Sequence, residues 1–210
     1  ATAEQIDRLC DEALEHHFYA VCVNPIFVER AAKRVAGSDT VVVSVAGFPL
    51  GASAADTVAD EARRAIEAGA REIDMVAWLG GLIDPDVCRD KNRIVETIHT
   101  VACAVQGAGP HHILKVILET AALTEEQIIL GCRCCAEGEA DFVKTSTGFH
   151  PSGGASVEHV RLLHRYASPM KVKASGGIRD LLTALALIEA GAARLGTSAG
   201  VALVRSLRPQ

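Results

Sequence analysis

Seven times along its length this chain sets a short aliphatic run before a turn marked by small or turn-forming residues, and then a longer segment with helical periodicity. That alternation is the pattern of a parallel sheet covered by helices. The runs are AVCVN (20–24), TVVVSVAG (40–47), EIDMVA (72–77), HILKVILE (112–119), DFVKTS (141–146), MKVKAS (170–175) and ARLGTS (193–198). They are continuously apolar apart from a few inserted polar groups, which predicts burial on both faces. A (β/α)8 TIM barrel is the expected architecture. The chain opens on a helical segment with no strand ahead of it, so the expected barrel lacks its first strand within these residues. An open doubly wound sheet is the alternative, but its glycine-rich dinucleotide fingerprint does not follow the first strand.

Helix boundaries are readable. Thr2 with Gln5 and Thr124 with Gln127 have capping-box spacing, and Asp84 before Pro85 places a cap ahead of a first-turn proline. Ile6, Leu9 and Ala13 on the first helix, and Leu181, Leu185 and Ile188 on a late one, are spaced as stripes that pack on a sheet. Gly37, Gly69 and Gly191 follow periodic segments where a left-handed residue ends a helix.

At 210 residues the chain fits one barrel, a fold that starts at about 200 residues. A single domain over 1–210 is expected. Hydrophobic residues make up 49% against 4% aromatic, so the core is aliphatic. A net charge of −5, with no basic run, argues against a nucleic-acid partner. No apolar stretch reaches the roughly 20 residues a membrane span needs. The seven cysteines, an odd number at irregular spacing, suit free thiols in a reducing, cytoplasmic compartment.

Four ionisable residues interrupt consecutive aliphatic runs: Asp74, Lys115, Lys144 and Lys173. Isolated buried charges are costly, so such groups are expected to meet and compensate one another. Strands in a sheet lie about 4.8 Å apart, which makes Lys144 and Lys173 neighbours. A second ammonium and desolvation both favour the free amine of a lysine. A free amine can attack a carbonyl to give a Schiff base, and a carboxylate beside it can move protons. The competing reading is a structural ion-pair network, against which three lysines to one aspartate leave positive charge suited to an anionic substrate.

The turns SGGIRD (175–180) and LGTSAG (195–200) each lead into a helix and suggest a phosphate cradle, with Gly176, Gly177, Gly196 and Ser198 as candidates. In barrels, phosphate commonly sits after the last two strands.

CVNP (22–25), VSVAGFPLG (43–51), EIDMV (72–76), LKVILET (114–120), VKTSTGF (143–149), KVKASGGIR (171–179) and LGTSAG (195–200) together resemble the deoxyribose-phosphate aldolase family over essentially the whole chain. The resemblance implies a class I Schiff-base aldolase that reversibly cleaves 2-deoxy-D-ribose 5-phosphate to acetaldehyde and D-glyceraldehyde 3-phosphate in deoxyribonucleotide catabolism. It implies no metal, no cofactor, a small phosphosugar partner and a homo-oligomer, dimer or tetramer. Lys144 would be the Schiff-base lysine, Lys173 its cationic neighbour, Asp74 the proton relay and Lys115 a supporting charge. Gly148, Gly176, Gly177, Gly196 and Ser198 would hold the phosphate, with Cys22 near the substrate. The family's first-strand Asp-His-Thr-like motif has no match here, Ala199 stands where a second serine is common, and the loop 149–156 departs from the simpler glycine-rich form. These departures frame a second expectation, a non-catalytic phosphosugar-binding homologue with an incomplete barrel. A third, a phosphate-handling isomerase or synthase, would use Asp74 for enolisation.

The remaining conspicuous residues have plainer readings. Cys132, Cys134 and Cys135 lack paired C-x-x-C spacing and are expected to pack in a helix rather than bind metal. His16, His17, His111 and His112 read as exposed turn residues, His150 as solvent-exposed, and Trp78 as either a pocket-mouth or a packing residue.

Overall fold

The computed structural model describes residues 1–84 and 91–207. Its order is α1 (Ala3–Glu15), β1 (Ala20–Val23), α2 (Val28–Val35), β2 (Val41–Ala46), α3 (Ala55–Glu67), β3 (Glu72–Val76), α4 (Leu79–Ile83) and α5 (Lys91–Gln106). Then follow β4 (Ile113–Ile117), α6 (Glu125–Glu137), β5 (Phe142–Lys144), α7 (Val157–Tyr166), β6 (Lys171–Ser175), α8 (Leu181–Glu189), β7 (Arg194–Gly196) and α9 (Gly200–Ser206). All seven expected strands form, each shorter than its apolar run. Their ends belong to the loops that carry the polar residues.

Every strand pair is parallel and the order is β1 to β7 without a crossover. A doubly wound sheet requires the order to reverse, so that alternative is excluded. Laid flat, β1 and β7 would stand about 29 Å apart, six intervals of roughly 4.8 Å. Instead the Arg194 guanidinium at the start of β7 lies 4.1 Å from the ring centroid of Tyr19, just ahead of β1. The sheet is therefore curled into a TIM-barrel-like fold, open between β1 and β7, which are not paired among the described residues.

The opening corrects one expectation. β2 to β6 are buried on both faces, except at residues that begin a strand, but Cys22 on β1 is exposed and all of β7 is half-buried. An unpaired edge leaves the inward side chains of its strand without a neighbour to cover them.

Local signals account for several helix ends. Both capping boxes are present: Thr2 accepts from the Gln5 N–H and Thr124 from the Gln127 N–H, each reciprocated by the glutamine side chain. Gly37, Gly69 and Gly191 adopt φ of 82°, 111° and 110°, as helix stops need. The cap expected at Asp84 and Pro85 involves a residue outside the described ones. On α1, Ile6 and Ala13 are buried and Leu9 packs against them. On α8 the expected stripe is wrong. Ala184 and Leu187 face the sheet, while Leu185 and Ile188 are 42% and 51% exposed. A helix reading LLTALALIE is apolar all round, so its spacing fits more than one face, and the small Ala184 suits close approach to the sheet. Among the described residues no helix is long and apolar enough to cross a membrane.

Candidate active site

Parallel register brings the interrupting charges together. Asp74 on β3 pairs in register with Lys115 on β4, and Lys144 on β5 with Lys173 on β6. All four point into the curled sheet. One carboxylate holds all three ammonium groups: Asp74 Oδ1 accepts from Lys115 Nζ at 2.9 Å, and Oδ2 from Lys144 Nζ at 2.8 Å and Lys173 Nζ at 2.7 Å. Asp74 and Lys115 are wholly buried, whereas Lys144 and Lys173 keep 5% and 4% exposure.

Three members of this network, Glu72, Arg194 and Tyr19, were not expected from sequence. Glu72, also wholly buried, accepts from Lys115 Nζ at 2.6 Å and from Arg194 at 2.5 Å, and Tyr19 donates its hydroxyl to it at 2.9 Å. Glu72 lies two residues before Asp74 on the same strand, so strand alternation puts both on one face. The expected count of three lysines to one aspartate becomes four cations to two carboxylates. The surplus of positive charge survives the correction.

Burial by itself would raise the Asp74 carboxyl, but Lys144, Lys173 and Lys115 overcome it and hold the group well below the ordinary value of 3.8. Glu72 is likewise lowered from 4.5, burial being outweighed by Lys115 and Arg194. Burial works against the Lys173 charge, yet Asp74 raises this lysine above 10.5, so it stands as a fixed cation beside Lys144.

These directions set a pH window. The carboxylates, lowered in the fold, contribute stability that is complete above their unfolded values and drains away as pH falls through the folded ones. Lys173, raised in the fold, contributes below 10.5 and loses its share as pH rises past the raised value. Denaturation midpoints measured across pH are expected to hold level from neutrality down to about pH 5 and to fall below 4.5, most steeply under 3.8. A fall already complete above pH 5 would contradict this network.

The carboxyl ends of β5 and β6 are tied by hydroxyls. Ser146 Oγ donates to Ser175 O and Ser175 Oγ to Ser146 O, both at 2.6 Å, while Thr145 Oγ1 donates to Ser175 O at 3.0 Å and accepts from Ser175 N–H at 2.9 Å. This lattice fixes Lys144 and Lys173 relative to each other.

Beside it lie the glycine turns. Gly148, Gly176 and Gly177 have φ of 81°, 88° and 77°, a left-handed region that other residues enter at a cost. A Cβ on Gly176 would stand 2.5 Å from Ser146 Oγ and 3.4 Å from the Gly148 Cα, so the two turns touch. Among the described residues the N–H groups of these three glycines have no hydrogen-bond partner. Unpaired N–H groups on successive left-handed residues suit an anion. Gly196 adjoins them, in register with Ser175, and a Cβ there would stand 3.2 Å from Lys173 Cε.

A cavity of about 710 Å³ gives access to Lys144. Cys22, Ser198 and Thr147 line it, as do Gln5, Arg8 and Glu12 of α1. Arg8, which no sequence motif singled out, adds a cation there. Trp78 does not line this cavity; it stands in a separate one of about 520 Å³, where Arg93 packs over its ring at 5.0 Å. Cys132, Cys134 and Cys135 are buried in α6, and burial pushes the Cys132 thiol up to about 12. His16 departs from expectation: its side chain is 3% exposed and its ring lies 5.8 Å from that of Phe18, because the chain folds back under the end of α1. His150 is half-buried and accepts from the Ser152 N–H at 3.2 Å.

Fold and centre together define a lysine-centred β/α-barrel enzyme. The chain belongs to the DeoC/LacD aldolase family, whose description, DeoC/LacD family aldolase, matches residues 1–207. It is 51% identical over 205 residues to a deoxyribose-phosphate aldolase of Brevibacillus brevis, covering 97% of this chain and 89% of the relative. A deoxyribose-phosphate aldolase of Thermococcus gammatolerans is 49% identical over 214 residues, with coverage of 99% and 91%. Among solved structures, the tetrameric deoxyribose phosphate aldolase of Aeropyrum pernix superposes with a TM-score of 0.88 at 30% identity, over 98% of this chain and 84% of that one.

Proposed function

We propose that this chain is an aldolase that reversibly cleaves 2-deoxy-D-ribose 5-phosphate to acetaldehyde and D-glyceraldehyde 3-phosphate through a Schiff base on Lys144. The observation that carries the reading is the single carboxylate of Asp74 bonded to three lysines, one of which opens onto a cavity. The family relatives support cleavage over the non-catalytic alternative.

Lys144 Nζ attacks the aldehyde carbon of the open-chain sugar, and loss of water leaves an iminium. The C3 hydroxyl gives up its proton, the C2–C3 bond breaks, and its electron pair enters the iminium to form an enamine. Protonation at C2 and hydrolysis then release acetaldehyde and restore the amine. Asp74, so far depressed at rest, is a weak base while three cations surround it. As the nitrogen of Lys144 becomes a neutral enamine, one of those cations disappears and the carboxylate gains basicity. Proton acceptance is thereby timed to the step that needs it. Lys173 holds its charge throughout, opposing a second cation beside it, and Lys115 anchors the far oxygen of Asp74 to Glu72.

We assign the phosphate to the unpaired N–H groups of Gly148, Gly176 and Gly177, with Gly196 and Ser198 beside them. Binding at a distance from the reacting carbons supplies positioning energy. Cys22 lines the cavity and takes no step. One domain spanning residues 1–210 carries these parts. Association into dimers or tetramers is supported by the exposed Leu182, Leu185 and Ile188 of α8, and a cytoplasmic setting by six free thiols among the described residues.

Incubation with 2-deoxy-D-ribose 5-phosphate is expected to release acetaldehyde and D-glyceraldehyde 3-phosphate in equal amounts without added metal or cofactor. Ligand binding by folded protein with no aldehyde formed would restore the non-catalytic reading.

A further inference from the structure

Glu119, two residues beyond the end of β4, combines three unusual properties. It is 2% exposed, its backbone lies in the left-handed region at φ 58° and ψ 52°, and among the described residues it forms no ion pair with a cation. A buried, unpaired carboxylate on a strained residue needs a reason, because both features are unfavourable. Its partners supply one. Both carboxylate oxygens accept from the Thr147 N–H at 3.2 Å, and Oε2 also accepts from Thr147 Oγ1 at 2.5 Å. Thr147 Oγ1 in turn accepts from the Phe149 N–H at 3.0 Å.

The relay brackets Gly148. Residues on either side of it are tied, through one hydroxyl, to a carboxylate in the loop that follows the neighbouring strand. The hydroxyl proton points at Glu119, which leaves a lone pair for Phe149 and holds Gly148 at φ 81° with its own N–H unpartnered.

We infer that Glu119 is a positioning residue that, through Thr147, presents the Gly148 N–H to the phosphate of the substrate. This rests on the aldolase reading, since it assigns that turn to phosphate.

Reach, rather than charge, is what the relay requires. Glu119→Asp keeps the charge and withdraws it by one methylene, whereas Glu119→Gln keeps the length and can still accept from Thr147. In Glu119→Asp, kcat/KM for 2-deoxy-D-ribose 5-phosphate is expected to fall about tenfold, mostly through KM, while that for unphosphorylated 2-deoxy-D-ribose changes less than twofold. Glu119→Gln is expected to lose less than Glu119→Asp. Equal losses on both sugars, or a larger loss in Glu119→Gln, would overturn the inference. Should Glu119→Asp not fold, Thr147→Val and Thr147→Ser provide the same comparison from the other end, with loss in the first and retention in the second. Binding of inorganic phosphate by calorimetry separates this inference from the activity itself. A wild-type protein without turnover defeats the aldolase reading alone, and phosphate binding left unchanged by Glu119→Asp defeats the relay alone.

Discussion

Lys144→Ala is expected to lower kcat by roughly 10³-fold or more, the scale on which removal of a covalent nucleophile acts, while leaving the protein folded. Its ammonium is one of three on Asp74, so the variant retains the contacts of Lys115 and Lys173 with that carboxylate. Neither remaining lysine can substitute. Lys115 is wholly buried, and Lys173 is pinned as a cation by Asp74. An enzyme that used this centre only for enolisation would keep most of its rate in this variant, because Asp74 would do its proton transfer. A loss of less than tenfold therefore points to isomerase-type chemistry and away from aldol cleavage.

Asp74→Asn is expected to damage both stability and activity. The amide has nearly the same shape but no charge, so three buried ammonium groups lose their common counterion. Removing one partner of a buried ion pair typically costs about 3–5 kcal/mol. Glu72 softens the loss at Lys115 but touches neither Lys144 nor Lys173. Loss of a general acid or base contributes a further rate penalty of about 10²- to 10⁴-fold. Denaturant titration and steady-state kinetics on the same preparation separate the two effects. A variant within about 1 kcal/mol of the wild type in stability would mean that the Asp74 contacts are those of a solvated pair rather than a buried one.

Much of this centre could be read from the chain because its physics is local to each strand. A lysine or aspartate within a run such as ILKVI or EIDMV is conspicuous, and parallel register does the rest. Glu72 was overlooked because it begins its run, where a polar residue passes for a turn; its spacing of two from Asp74 was the available signal. Arg194 opens β7 in the same way. The inward face of α8 could not be read, since an all-round apolar helix has no unique stripe. The half-covered state of β1 and β7 depends on which strands pair, and periodicity within a strand carries no information on that. Glu119 lay beyond reach for another reason: a left-handed glutamate has no propensity signal, and its partner is 28 residues away in the chain.

The proposed cleavage depends on the amine of Lys144 forming an imine with an aldehyde in the cavity. Treating the folded protein with acetaldehyde and borohydride, then mapping peptides by mass spectrometry, tests it directly. The expected result is a reduced two-carbon adduct on Lys144, with Lys115 and Lys173 unmodified. An unmodified Lys144 in folded, active protein, or an adduct on Lys173 instead, would contradict it.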